Sequence, residues 1–370
     1  MSSMYGTALR LSVFGQSHSP AIGCVLDGMP AGITVDVTEL QAFLDRRAPG
    51  RALTSTARRE GDAPEFIAGI TDGVTNGAPI AALIRNGDAR PGDYDDLRDV
   101  PRPGHADWTA QVKYGGFQDA SGGGHFSGRL TAALCVAGGI ALQALALHGI
   151  RIAAHVASLG PERIEDEPLN PMALEEEQVT RIAENPLPCV SVESAHEMRE
   201  RILRARSEGD SVGAVIECAA YGVPAGLGDP MFDGIENRIA RIAFGIPGVK
   251  GVEFGSGFGA TERLGSENND EYRMAGGSVA PQANNAGGIL GGITTGMPVI
   301  WRMAVKPTPS IARPQRSVNL RTGENVDLEV AGRHDPCIAP RAVPVAEAAC
   351  ALALLDALLE QHAAFDINRP

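Results

Sequence analysis

Basic residues are scarce in this chain: 32 Lys and Arg stand against 45 Asp and Glu, a formal net charge of -13. Binding a phosphate backbone needs clustered cations that displace counterions, so no nucleic acid partner is expected, although a local positive pocket remains compatible with the total. The six cysteines, Cys24, Cys135, Cys189, Cys218, Cys337 and Cys350, lie far apart with no Cys-x-x-Cys pair. Such spacing argues against a zinc site and a disulfide framework and for reduced, mostly buried thiols, so no metal is expected. Cys337, close to a candidate catalytic aspartate, reads as a small buried filler. No segment holds 18 uninterrupted apolar residues, and Met1-Ser-Ser-Met-Tyr-Gly6 lacks the basic region and apolar core of a secretory signal. The expectation is a cytoplasmic protein with no membrane attachment. Nor does a Gly-x-Gly-x-x-Gly follow a strand pattern, which argues against a Rossmann nucleotide site.

What is present reads as a soluble α/β protein. Hydrophobic residues make up 44% and charged residues 21%, and the 45 glycines and 25 prolines are dispersed as turn punctuation between short elements. Strand patterns run over Leu9 to Phe14, Ile22 to Leu26, Pro79 to Ile84, Val212 to Ala219 and Val299 to Val305. Asp36 and Glu39 form a capping-box pattern before a helix that places Leu40, Phe43 and Leu44 on one face, delivers Arg46 and Arg47 at its end and stops at Pro49-Gly50. Ser194 and Glu197 repeat the box before a helix closed by Gly209. Two runs, Leu130 to Leu147 and Val343 to Leu359, are apolar nearly all round and belong at the centre of a fold.

The chain also echoes itself. Ile22 to Asp27 with Gly28-Met-Pro-Ala-Gly32 recurs as Val212 to Glu217 with Gly222-Val-Pro-Ala-Gly226, and Gly69-Ile-Thr-Asp-Gly73 recurs as Gly292-Ile-Thr-Thr-Gly296. A single domain over residues 1–370 with two similar halves, at about 6–150 and 195–360, packed around shared central helices, accounts for the pattern.

Three short polar segments bounded by Gly or Pro lie between the apolar runs: Gly15-Gln-Ser17-His18-Ser19, Arg102-Pro-Gly-His105-Ala-Asp107 and Gly332-Arg333-His334-Asp335-Pro336-Cys337. Loops of this kind carry chemistry. They bring anion-binding guanidiniums, imidazoles that titrate near neutrality and a carboxylate base, which suits acid/base work on an anionic small molecule.

In this order the segments resemble the chorismate synthase family, from about Gly6 to about Leu359. Leu44-Asp45-Arg46-Arg47-Ala-Pro49-Gly50, Gly122-Gly-Gly124, Gly222 to Gly228, Val249-Lys-Gly-Val-Glu253, Asn285 to Gly292 and Lys306-Pro-Thr308 agree in register. The resemblance implies a β-α sandwich with internal pseudo-symmetry. It further implies a carbon-oxygen lyase that eliminates phosphate, 1,4-anti, from 5-enolpyruvylshikimate-3-phosphate to give chorismate, with reduced FMN required but not consumed, and a homotetramer fed by an external flavin reductase or reductant. A flavin-dependent NADPH oxidoreductase, a bifunctional form that reduces its own flavin, and a non-catalytic flavin- or anion-binding relative are the alternatives.

Carried over residue by residue, the resemblance makes His18 a general acid near the leaving phosphate, His105 a proton donor or charge holder at the flavin N1 edge, and Asp335 an aid to proton removal on the N5 side. Ser17, Arg47, Arg102, Ser127, Arg129 and Arg333 fall to the substrate. His125, Phe126, Ser127, Gly291, Lys306, Pro307, Thr308, Pro309, Ser310 and Arg333 fall to the flavin. His334 supports Asp335, while His148, His155, His196 and His362 read as structural. Some positions depart from the family spelling. Gln16 replaces a glutamate and removes a charge near His18, Ser19 replaces a glycine in a tight turn, Ser121 to Thr131 loses two arginines, and Leu53 stands where relatives carry an arginine that would meet a nicotinamide.

Overall fold

A computed structural model describes residues 3–50, 61–87, 98–185, 187–330 and 335–366. Two apolar helices, Thr131–Ala146 and Ala339–Asp366, pack at its centre. They touch closely, since a Cβ on Gly138 would lie 2.2 Å from the Cβ of Ala348. By length and composition each could cross a membrane, but 78% and 94% of their apolar windows are buried in the protein, the mark of core helices. The mixed α/β architecture follows from how these helices are covered.

Two antiparallel five-stranded sheets do the covering. One runs Met4–Tyr5, Arg10–Gly15, Ala21–Asp27, Ile80–Arg85 and Glu65–Ala68 across its width. The other runs Val249–Phe254, Val299–Val305, Ala214–Tyr221, Arg151–Leu159 and Ile164–Glu165. Period-two alternation turns Ile80, Ala82 and Ile84 inward, and Ile216, Cys218 and Ala220 do the same in the second sheet. All five strand patterns read from the sequence are strands within a residue or two. Arg151–Leu159 falls between the two sequence halves as drawn, yet it is an integral strand of the second sheet.

A similar hydrogen-bond arrangement occurs at two threonines, Thr75 and Thr294. Thr75 Oγ1 donates to Pro30 O (2.6 Å) and accepts from Ile33 N (3.0 Å); Thr294 Oγ1 donates to Pro224 O (2.6 Å) and accepts from Leu227 N (2.9 Å).

Helix caps follow the sequence with one correction. Asp36 accepts from Thr38 N and Glu39 N at the head of Val37–Arg47, as the pattern requires. The later helix is Val192–Ser207, and its cap is Ser191, not Ser194; Ser191 Oγ accepts from Ser194 N. Arg46 is structural, forming a two-pronged pair with Glu347 of the second central helix at 2.6 and 2.8 Å.

His155 is likewise structural. It is fully buried, with Nδ1 2.8 Å from Asp166 Oδ2 and Nε2 3.3 Å from Glu217 Oε1, and the ladder continues across the sheet through Arg302 to Glu253. Burial disfavours the imidazolium, but the two carboxylates outweigh it and raise the pKa. A raised folded value means that the stabilisation is complete below the unfolded pKa of about 6.5 and fades as pH rises through the folded value. His155→Gln should therefore lose about 3 to 5 kcal/mol near neutrality, because two buried carboxylates lose their counter-ion. Denaturant unfolding across about pH 6 to 9 should show a smaller alkaline decline in the variant than in the parent. Equal slopes would mean that the imidazole is neutral in the fold.

Candidate active site

The His18 and His105 segments meet at the Gly-rich turn Ser121–Phe126, where Gly122, Gly123 and Gly124 all take left-handed φ values of 58°, 85° and 52°. Glycine is required here for space as well as conformation. A Cβ on Gly122 would lie 2.2 Å from His18 Cε1, and one on Gly123 would lie 2.9 Å from His105 Cε1. The turn is thus a thin wedge with one histidine packed on each of two successive residues. Ser17 N donates to Gly124 O (3.0 Å), tying the His18 segment to it. His125 straps the same turn down: Nδ1 lies 2.8 Å from Gly15 O and Nε2 2.7 Å from Ser3 Oγ.

His105 is oriented by a residue to which the sequence reading gave no role. Asp107 opens the helix Asp107–Tyr114, and its Oδ1 lies 2.5 Å from His105 Nδ1. A carboxylate only accepts, so Nδ1 carries the proton, and Nε2 is left as the acceptor nitrogen, 3.3 Å from Arg102 Nη2. Arg102 holds the carboxylate in place, its Nε at 2.7 Å and Nη2 at 2.9 Å, and its Nη1 reaches Ser310 Oγ at 3.2 Å. Burial works against the Asp107 charge, but the bonds from Arg102 and His105 prevail and keep its carboxyl well below the usual range.

A second cluster of cations faces it. Arg47, at the end of its helix, and Arg129, in the turn Gly128–Leu130, are buried and both pair with the buried Asp62. Burial again opposes the Asp62 charge, and the two guanidiniums lower its pKa nonetheless. Arg341 pairs with Asp335 and donates from Nε to Arg47 O at 2.9 Å. Burial, with Arg47 nearby, lowers the Arg341 pKa.

Between these groups opens a cleft of about 910 Å³. It is lined by Ser17, Arg47, Arg102, His105, His125, Phe126, Ser127, Arg129, Lys306 to Ser310 and Asp335, which the sequence reading placed in the site, and by Lys250 and Arg341, to which it gave no site role. Lys306 Nζ donates to Gly104 O; its pKa is lowered by burial and by Lys250. Thr308 Oγ1 is buried and has no hydrogen-bond partner among the described residues. His18 packs behind the wedge rather than on the cleft wall, and Gly291 lies in the turn of a separate hairpin, Ile289–Leu290 with Ile293–Thr294, away from the cleft lining. Arg333, His334 and Leu53 lie outside the described residues.

The departures are accommodated. Ser19 Oγ accepts from Gln16 N (3.0 Å) and lies 2.9 and 2.7 Å from Gln16 O and Ala21 O, so its hydroxyl closes the turn that a glycine would leave open. Phe126 stands 6.2 Å from the ring of Tyr114, tilted by 52°. All six cysteines are free and buried.

Comparison with known proteins agrees with this arrangement. The family model for chorismate synthase matches residues 9–359. The chain belongs to the chorismate synthase family. It is 48% identical over 369 residues to the chorismate synthase of Lancefieldella parvula, covering 97% of this chain and 96% of that one, and 45% identical over 355 residues to that of Methanocella arvoryzae, covering 96% and 94%. A crystal structure of a chorismate synthase superposes with a TM-score of 0.75 at 29% identity, covering 96% of this chain and 93% of that chain. The activity is accordingly that of a chorismate synthase, a lyase that expels phosphate from 5-enolpyruvylshikimate-3-phosphate in the shikimate pathway and serves aromatic amino acid biosynthesis.

Proposed function

We propose that the cleft binds 5-enolpyruvylshikimate-3-phosphate beside reduced FMN, and that His18, His105 and Asp335 handle the protons of the elimination. The observation that carries this is the Gly122–Gly123 wedge, which packs His18 and His105 from distant segments against one turn, with His105 on the wall of an arginine-rich cleft. A substrate with two carboxylates and a phosphate needs several guanidiniums, and Arg47, Arg102 and Arg129, joined by Arg333, serve it with Ser17 and Ser127. His18 donates a proton towards the departing phosphate. His105, its Nδ1–H held by Asp107, would hold or supply a proton beside the flavin, and Asp335 would accept one.

The residues present fit FMN. Lys306 and Lys250 offer charge to its phosphate, the unsatisfied Thr308 hydroxyl offers a donor, and Phe126 offers an apolar face to the ring. His125 contributes by holding the turn, since both its ring nitrogens are engaged; Pro307, Pro309, Ser310 and Arg333 complete the cofactor set in this reading, and Gly291, away from the cleft, is left out of it. When bound, reduced FMN supplies electron density to the elimination and is regenerated unchanged. Lys306→Ala should weaken FMN binding by about 10- to 100-fold, the worth of one charge-assisted bond to an anion. Equilibrium titration by flavin fluorescence reads this directly, and an unchanged affinity would move the cofactor elsewhere.

Three further points belong to this reading. The electrons come from an external reductase, so NADPH oxidation without phosphosubstrate would instead indicate the bifunctional form. The protein works in the cytoplasm as a homotetramer, a reading supported by exposed apolar residues on the hairpin Tyr272–Ala275 with Ser278–Pro281, among them Met274 at 69%, and by Phe232 at 85%. The two halves share one ancestry, supported by the order common to four of the five strands in each sheet and by the similar bonds at Thr75 and Thr294, and the second half begins at Arg151.

A further inference from the structure

We infer that Asp62 is a positioning residue for substrate binding, whose buried carboxylate fixes the Arg47 and Arg129 guanidiniums in the relative placement that receives the substrate's anionic groups. This rests on the reading that those two arginines meet the substrate.

Asp62 is 2% exposed and is not part of the cleft wall, so it can act only through its partners. One carboxylate oxygen pairs with Arg47 Nη1 and the other with Arg129 Nη1, so a single anion spans two guanidiniums delivered by different elements. Each fork is held at a second point as well: Arg47 Nε donates to Thr131 Oγ1 (3.2 Å) and Arg129 Nε to Asn86 Oδ1 (3.0 Å). Asn86 Nδ2 in turn donates to Ser19 O (2.7 Å) in the His18 turn, and Arg341 joins Arg47 O to Asp335. Asp62 therefore stands at the middle of a continuous chain from Asp335 to the turn that carries His18. Its backbone adopts φ 48°, a left-handed conformation that Asp and Asn tolerate better than other residues with side chains. A non-glycine residue kept there, with its side chain spent entirely on two arginines, marks a requirement for that carboxylate.

Two opposite consequences can be separated. If Asp62 merely neutralised the arginines, its removal would leave more free positive charge and tighten the binding of an anion. If it positions them, removal lets two buried like charges move apart and affinity falls despite the gain in charge. Asp62→Asn is the fitting variant, because it keeps the size and the left-handed backbone and loses only the charge. Assayed anaerobically with reduced FMN, it should raise KM for 5-enolpyruvylshikimate-3-phosphate by about ten-fold or more while kcat changes by less than about three-fold, the signature of lost ground-state binding. In an Arg129→Gln background the same substitution should add much less than it does alone, since its route runs through that arginine. Asp62→Gly, which accepts φ 48° without strain, gives the same comparison if the Asn variant does not fold. An unchanged or lowered KM, or full additivity with Arg129→Gln, overturns the inference. If Arg47→Ala and Arg129→Gln themselves leave KM unchanged, the assignment of the arginines is what fails; if they raise KM and Asp62→Asn does not, the inference about Asp62 alone fails.

Discussion

Replacing either His18 or His105 with alanine should slow turnover by about 100- to 10,000-fold with the protein still folded, the range expected for a positioned acid or base. The two losses should differ in kind. His105 is held by Asp107 at 2.5 Å and packs on Gly123, so its removal should change the absorbance or ionisation of bound reduced flavin. His18 packs on Gly122, and its loss should act on phosphate expulsion with the flavin spectrum unaltered. Stopped-flow absorbance, run beside phosphate release, separates the two. Matching spectra in both variants would place the histidines in one role and contradict the division.

The second large effect needs no change in any ionisable group. Gly122→Ala would push a methyl into the His18 ring, whereas Gly123→Ala would push one against His105, each at a left-handed φ that alanine tolerates poorly. Backbone strain there costs about 1 to 3 kcal/mol, and displacing a reacting group by about 1 Å is enough to lose about 100-fold in rate. Each glycine variant should therefore reproduce the signature of its own histidine: Gly123→Ala the altered flavin spectrum, Gly122→Ala the slowed phosphate release. Full activity in both would show that the wedge bends without consequence and that the histidines are not held by it.

Much of this was legible in the sequence because local physics wrote it there. The two central helices showed as runs apolar on every side, and the strands as branched or alternating segments. The Asp36 cap stood three residues before a glutamate. The second cap was missed because Ser191 and Ser194 both precede the apolar stripe, and only the backbone bond from Ser194 N to Ser191 Oγ decides between them.

The site divided along the same line. His18, His105, Arg102 and the Lys306 to Ser310 segment announced themselves as compact polar loops, and the fold brings all but His18 to the cleft wall. Asp62 had no such signature: it follows a glycine in text that reads as an ordinary turn, and its partners lie 15 and 67 residues away. Asp107 stands two residues after His105, but an acidic residue opening a helix has an ordinary reason to be there. Long-range pairing is what gave these carboxylates their roles, and spacing along the chain does not encode it.

The most direct test of the central claim is anaerobic incubation of the protein with 5-enolpyruvylshikimate-3-phosphate and chemically reduced FMN, with phosphate, chorismate and flavin redox state followed together. The account predicts phosphate and chorismate in equal amounts over many turnovers, with the flavin still reduced at the end and no product when oxidised FMN is used anaerobically. Flavin oxidised in proportion to product, or neither product at high protein concentration, would contradict it.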